Sequence, residues 1–221
     1  NAYLDKQKYA SEIIVVENGS QDLTAVVAEA FAAEHPRVRL IREAARGKGL
    51  AVRRGMLEAT GEYRFFCDAD LSMPIDEVAK FLPPQLDNFD VAIGSREASG
   101  ARRYHEPAYR HFQGRVFSTL VKLFALPGFE DTQCGFKCFR ADAARDLFDV
   151  QMFGGWSFDV EALYVAWRRG YRIVEVPIDW YYCAESRVNP LLDPLRMLRD
   201  ILAIRRNWAR GVYTRRTTND G

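Results

Sequence analysis

Tyr63-Arg64-Phe65-Phe66-Cys67-Asp68-Ala69-Asp70 is the stretch on which the fold turns. Its aromatic-rich first half has the composition of a buried strand, and it ends on two carboxylates spaced i, i+2. Extended backbone alternates its side chains, so Asp68 and Asp70 project to the same side. Carboxylates at that spacing repel each other. A divalent cation, bound by hard oxygen ligands and shared with a phosphate, relieves the repulsion. At the carboxyl end of a strand in an α/β sheet, such a pair faces the crevice in which ligands bind. A plain acidic loop shows the same pattern, and the rest of the chain has to choose between the two.

Upstream, Glu12-Ile13-Ile14-Val15-Val16 is a β-branched run that breaks at Glu17-Asn18-Gly19-Ser20. Ser20 or Asp22 can cap the helix of residues 23–34, which carries Val26, Val27, Ala30 and Phe31 on one face and stops before Pro36. A second short strand spans 38–42. Arg46-Gly47-Lys48-Gly49 follows, then a helix over 50–60 that Gly61 ends. Downstream come a helix over 74–82 and a strand over 89–93 that runs into Gly94-Ser95-Arg96. This alternation predicts an α/β fold with a mainly parallel sheet and crossover helices.

The second half changes character. A polar loop over 97–108 holds Arg102, Arg103 and His105, and a helix over 108–124 carries Arg110, His111 and Arg115. Asp131-Thr132-Gln133 leads into a strand from Cys134 to Phe139. Helices follow over 141–148 and 157–169, then a strand over 172–180 whose Pro177 suits an edge position. An amphipathic helix over 191–209 spreads Leu195, Leu198, Ile201, Leu202 and Ile204 across one broad side, flanked by Arg196, Arg199 and Arg206. It reads either as a helix packed on the domain or as one lying at a lipid interface with its arginines on anionic headgroups. The expected division is a domain over 1–188 and this helix with its tail over 189–221.

Composition narrows the classes. With 221 residues, 48% hydrophobic and 28% charged, the chain can build one sizeable core. A net charge of +1 argues against a nucleic-acid partner held by bulk charge. Four cysteines and three histidines show neither a disulfide framework nor zinc spacing, and the thiols read as reduced. No apolar run reaches the roughly 18 residues of a membrane span. Neither G-x-x-x-x-G-K-[ST] nor G-x-G-x-x-G is present, which disfavours P-loop and dinucleotide chemistry.

Four turn clusters therefore sit at expected strand ends: residues 17–20, 46–49, 68–70 and 94–96. Together they provide amide donors, a lysine for phosphate and carboxylates for a metal. That equipment suits a nucleoside diphosphate with Mg²⁺ or Mn²⁺.

Ile-Ile-Val-Val-Glu-Asn-Gly-Ser, Gly-Lys-Gly-Leu-Ala-Val-Arg-Arg-Gly, Asp-Ala-Asp, Gly-Ser-Arg, Asp-Thr-Gln-Cys-Gly-Phe-Lys and Trp-Ser-Phe-Asp-Val-Glu occur in the order seen in family 2 glycosyltransferases. The set, over about residues 9 to 208, most resembles the dolichyl-phosphate glucosyltransferase branch, related to dolichyl-phosphate mannose synthases. The resemblance implies a GT-A fold. It also implies inverting transfer from a nucleotide sugar, UDP-glucose foremost, to a polyprenyl phosphate on the cytosolic leaflet, by a protein peripheral to the membrane. It places Glu17, Gly19 and Ser20 at the nucleoside, Lys48 at the diphosphate, and Asp68 and Asp70 at the metal. Asp131 and Gln133 fall near sugar and acceptor, with Trp156 and Asp159 lining the sugar pocket. Arg96 and Arg110 are the candidates for the acceptor phosphate, since guanidinium forks match phosphate oxygens.

Two departures from that pattern stand out. The family's first strand, with its Pro-Ala-Tyr-Asn-Glu segment, has no counterpart before residue 12, so a central strand edge is expected to stand open. Glu17-Asn18-Gly19-Ser20 also replaces the usual Asp-Asp-Gly-Ser. Mannosyl or other hexosyl transfer, a non-catalytic nucleotide-sugar-binding protein and a nucleotidyltransferase remain the alternatives.

Overall fold

The computed structural model describes residues 1–70, 72–183 and 192–214. Aromatic residues on the two faces of one strand organise it. Strand β3 (Tyr63–Cys67) directs Phe65 and Phe66 to opposite sides, as two-residue alternation requires. Phe65 meets Phe136 and Phe81 edge-on, with ring centroids 4.5 and 5.3 Å away, beside Met73, Val78, Phe89 and Ile178. Phe66 lies 5.8 Å from Phe158 and 6.3 Å from Phe139, against the larger cluster that the helices build. Each such aromatic pair contributes about 0.5–1.5 kcal/mol beyond simple area burial. The strand is thus held from both sides, and Asp68 leaves it at a well-determined place.

Strand β3 does not pair with its neighbours in sequence. Strand β6 (Phe136–Arg140) lies between β3 and β4 (Val91–Ser95), antiparallel to both, and β7 (Ile173–Pro177) follows β4 in parallel. Pro177 does fall on the edge strand of this sheet. β1 (Ile13–Glu17) and β2 (Val38–Arg42) form a separate parallel pair, and β5 (Arg102–Tyr104) with β8 (Asp179–Tyr181) another. The single run of consecutive parallel strands expected from the sequence is therefore divided, although three of the five pairings described are parallel. The segment 172–180 likewise splits at Ile178 into β7 and β8.

Helix α1 (Thr24–Glu34) buries none of its residues. Val26, Val27 and Phe31, read from the sequence as one face, are all exposed, and Val27 and Phe31 line a groove of ≈ 640 Å³ with Val15 and Leu23. The reason is the sheet beneath it, since β1 pairs with β2 alone among the described residues. Helix α2 (Lys48–Glu58) begins two residues earlier than expected, after Gly47 at φ 148°. The buried Arg64 donates from Nη1 to the Met56 carbonyl in the last turn of α2, 2.7 Å away. Residues 74–82 wind as a 3-10 helix, Ile75–Phe81, rather than an α-helix.

Helices α3 (Ala108–Phe124), α4 (Ala141–Asp149) and α5 (Phe158–Arg168) follow. α5 is buried continuously from Phe158 to Ala166, as a helix apolar on most sides must be. Helix α6 (Leu192–Ala209) packs on α3 and α5 through Met197, Ile201 and Ile204, spaced i, i+4, i+7. Leu195 and Leu202 stay exposed, so the broad apolar side read from the sequence is two stripes, one spent on the core. Among the described residues no helix is long and apolar enough to cross a membrane. The 188/189 boundary expected from the sequence lies outside the described residues.

Candidate active site

Phe66 and Asp68 share the face of β3 that looks toward α2 and α5, so the carboxylate emerges where those helices begin. Lys48, the first residue of α2, brings Nζ to 2.6 Å from Asp68 Oδ1. Both groups keep about a quarter of their surface in water. The half-exposed Trp156 indole covers the ammonium at 4.9 Å. Asp70 is exposed, and its Oδ1 accepts the backbone N–H of Ser72 at 3.0 Å. Across the ladder, Asp68 N donates to Gly135 O at 3.0 Å, one step beyond the Cys67–Phe136 pair.

Three turns clasp one another around Lys48. Asn18 Nδ2 donates to Gly47 O at 2.8 Å, joining residues 17–20 to 46–49. Glu17 Oε1 accepts Ser20 N at 2.5 Å, and the hydrogen bonds from Ser20 hold its carboxyl below the usual range. Gly19, at φ 85°, lies against the Arg46 side chain. On the other side Gly49 N donates to Gly154 O, and Gln151 Nε2 donates to Gly49 O, each at 2.9 Å. The loop carrying Gly154 and Trp156 is itself tied down by buried Glu161, which accepts from Met152 N, Phe153 N and the Tyr213 hydroxyl. Burial pushes Glu161 up, against the pull of those hydrogen bonds.

Behind this cluster lies an enclosed ion pair. Lys137, 1% exposed, holds Nζ 2.7 Å from Asp159 Oδ1 and donates to Cys134 O at 2.6 Å. Burial raises Asp159, against the opposing charges of Lys137 and Lys48. Asp159 is thus walled in behind the Lys48–Asp68 pair, whereas Trp156 stands at the surface.

A second charged centre lies at the end of β4. Arg96 grips Asp131 with three bonds: Nε to Oδ2 at 2.6 Å, Nη2 to Oδ1 at 2.9 Å and its backbone N to Oδ2 at 3.0 Å. Burial would raise the Asp131 carboxyl, but Arg96 outweighs it and brings the pKa to about 2. Burial disfavours the Arg96 charge, and Asp131 more than restores it. Gln133 N donates to Asp131 Oδ1, and Trp180 lies 5.4 Å from the guanidinium. Arg96, expected to face an acceptor phosphate, therefore gives two of its three guanidinium nitrogens to Asp131. Arg110 lies in the first turn of α3, with its side chain outside the described residues.

Gly135, Lys137 and Glu161 stand within motifs quoted from the sequence, which gave them no role, and Gln151 was not singled out. Lys137 carried the plainest local signal, a lysine inside the apolar run Phe136–Phe139. No three His, Cys, Asp or Glu side chains converge among the described residues. Two hard carboxylates fit Mg²⁺ or Mn²⁺ nonetheless, because such cations are commonly held by one or two carboxylates and completed by substrate phosphates.

Residues 2–148 match the glycosyl transferase family 2 model, and the chain belongs to that family. It is 33% identical, over 96% of its own length and 66% of the relative's, to dolichyl-phosphate β-glucosyltransferase ALG5C of Trichomonas vaginalis. To the dolichyl-phosphate β-glucosyltransferase of Saccharomyces cerevisiae it is 34% identical, over 94% of its length and 69% of that protein. The chain thus spans about two thirds of the relatives it matches. Its fold resembles glucosyl-3-phosphoglycerate synthase of Mycobacterium tuberculosis, solved with Mn²⁺, UDP-glucose and phosphoglyceric acid. That likeness has a TM-score of 0.57 at 18% identity, covering 86% of this chain and 66% of the other, and it assigns the α/β fold to the GT-A type.

Proposed function

We propose that this protein transfers a glucosyl group, with inversion, from UDP-glucose to the phosphate of a dolichol-type polyprenyl phosphate. The observation that carries the reading is the meeting of residues 17–20, Lys48, Asp68 and Trp156 at one end of the fold. The relatives named above carry the choice of glucose and dolichyl phosphate.

In this reading Asp68 and Asp70 hold Mg²⁺ or Mn²⁺, which supplies Lewis-acid stabilisation of the departing diphosphate. Glu17, Gly19 and Ser20 face the nucleoside, and Lys48 exchanges Asp68 for a diphosphate oxygen. Trp156 offers the sugar an exposed aromatic face. Asp159 acts from behind, through its field on Lys48. A phosphate acceptor, with a second pKa near about 6, is already largely ionised at neutral pH. The reaction then needs positioning and charge stabilisation more than a base. This suits Asp131, whose low pKa and three bonds from Arg96 make it a positioning residue rather than a proton acceptor. Arg96 and Gln133 line the acceptor side, and Arg110, in the first turn of α3, is the further candidate for the acceptor phosphate. The exposed stripe of Leu195 and Leu202, beside Arg199 and Arg206, lies on the cytosolic face of the membrane.

One experiment tests this. The protein is mixed with Mn²⁺ or Mg²⁺, a panel of labelled UDP- and GDP-sugars, and a short polyprenyl phosphate in anionic vesicles, which are then floated. The expected outcome is co-flotation and label transfer from UDP-glucose, with Asp70→Ala folded and slower by at least ~10³-fold, the loss of several kcal/mol of charge stabilisation. Donor binding without transfer would replace the enzyme with a nucleotide-sugar-binding protein.

A further inference from the structure

Gly135 stands directly across the ladder from Asp68. The register of β3 and β6 pairs Cys67 with Phe136, and the next step pairs Asp68 with Gly135 through the 3.0 Å bond from Asp68 N to Gly135 O. Side chains directly opposed in an antiparallel ladder have Cβ atoms only about 4.5–5.5 Å apart. Here the carboxylate folds onto the space that a side chain at 135 would take. A Cβ at 135 would lie 2.0 Å from Asp68 Oδ2, 2.3 Å from its Cγ and 2.6 Å from Oδ1.

The other crowded glycines of the site differ in kind. A Cβ at Gly47 would meet Gly154 O at 2.3 Å, and Gly47 also sits at φ 148°. A Cβ at Gly49 would meet Phe153 O and Phe158 Cβ, each at 2.7 Å, and one at Gly154 would meet Leu50 Cγ at 2.7 Å. Those collisions are with backbone and apolar side chains and concern the fold. Gly135 is not among the glycines at positive φ, so alanine there meets no backbone strain. The three nearest atoms all belong to the Asp68 carboxylate, the movable end of a side chain. The fold can accommodate alanine at 135 by turning that carboxylate away. The contact with Lys48 at 2.6 Å, and the position from which Asp68 meets a cation, would be lost with the turn.

We propose that Gly135 is a positioning residue for the metal and diphosphate site, its missing side chain forming the seat of the Asp68 carboxylate. Lys48 holds the seated carboxylate by its Oδ1, 2.6 Å from Nζ, until a cation takes its place. This rests on the metal reading of Asp68 given above.

The test is binding, not turnover: Mn²⁺ with UDP, followed by calorimetry and by the Mn²⁺ electron paramagnetic resonance signal. Gly135→Ala is expected to melt within ~2 °C of the parent and to weaken Mn²⁺·UDP binding about 10- to 100-fold, the cost of disturbing a group that orients a metal ligand. Asp68→Ala is expected to weaken it similarly, and the Asp68→Ala/Gly135→Ala double variant no further, because the seat has no carboxylate to hold. Parent-like binding by Gly135→Ala beside a weakened Asp68→Ala overturns the seat and leaves the metal reading standing. Parent-like binding by Asp68→Ala overturns both. If Gly135→Ala melts early, the double variant decides: recovery of the melting temperature supports the collision with Asp68, and no recovery overturns it.

Discussion

The two ion pairs of the site are built to opposite ends. Lys48 meets Asp68 through one contact, with both partners partly in water. Arg96 meets Asp131 through three hydrogen bonds, and the Asp131 side chain is only 5% exposed. A single, wet contact between a flexible ammonium and a carboxylate contributes little and is readily exchanged. A forked, enclosed one holds its geometry, and breaking it strands a charge. The first pair suits a carboxylate that must give up its lysine for a cation, the second a scaffold that must not move.

The widest separation between them should appear in stability. Arg96→Met leaves Asp131 enclosed without its partner and is expected to cost about 3–5 kcal/mol. Lys48→Met is expected to cost under ~1 kcal/mol, because Asp68 falls back on water. Urea midpoints of the two variants measure this, and equal losses would erase the contrast.

A smaller effect should appear in acid. Asp131 is held at about 2 against an ordinary 3.8, so its folded pKa is depressed. Its contribution is then fully present above pH ~4 and lost as pH falls toward ~2, amounting to about 2 kcal/mol. Asp131→Asn should flatten that part of the stability profile, and an unchanged slope below pH ~4 would show that the pair does not carry it.

The smallest effect concerns the lid over Lys48. Trp156 is half exposed, and a cation–π contact at such a site is worth about 0.5–1 kcal/mol. Trp156→Ala should therefore weaken UDP binding no more than ~5-fold while the melting temperature holds. A large fall in melting temperature would make Trp156 part of the scaffold instead.

Much of this site was legible in the chain. The strand-end turns at 17–20, 46–49 and 68–70 were readable because turn residues and β-branched runs are local signals. Their convergence needs no more than an α/β arrangement. The partner of Arg96 was not readable, since a guanidinium answers phosphate and carboxylate alike, and Asp131 lies 35 residues away. The exposure of α1's apolar face was not readable either, because an apolar helical stripe says what ought to be covered, not whether a strand lies beneath it.

By itself the sequence determined most of the elements, the acidic pair after β3 and the lysine of the glycine turn, for these follow from residue type and spacing. Only the tertiary structure decided that β6 enters between β3 and β4, because strand pairing is a contest among distant hydrogen-bonding edges that local pattern cannot settle. That one insertion sets Gly135 opposite Asp68 and Lys137 behind it. The carboxylates are written in the chain, and their setting comes from a strand some seventy residues further on.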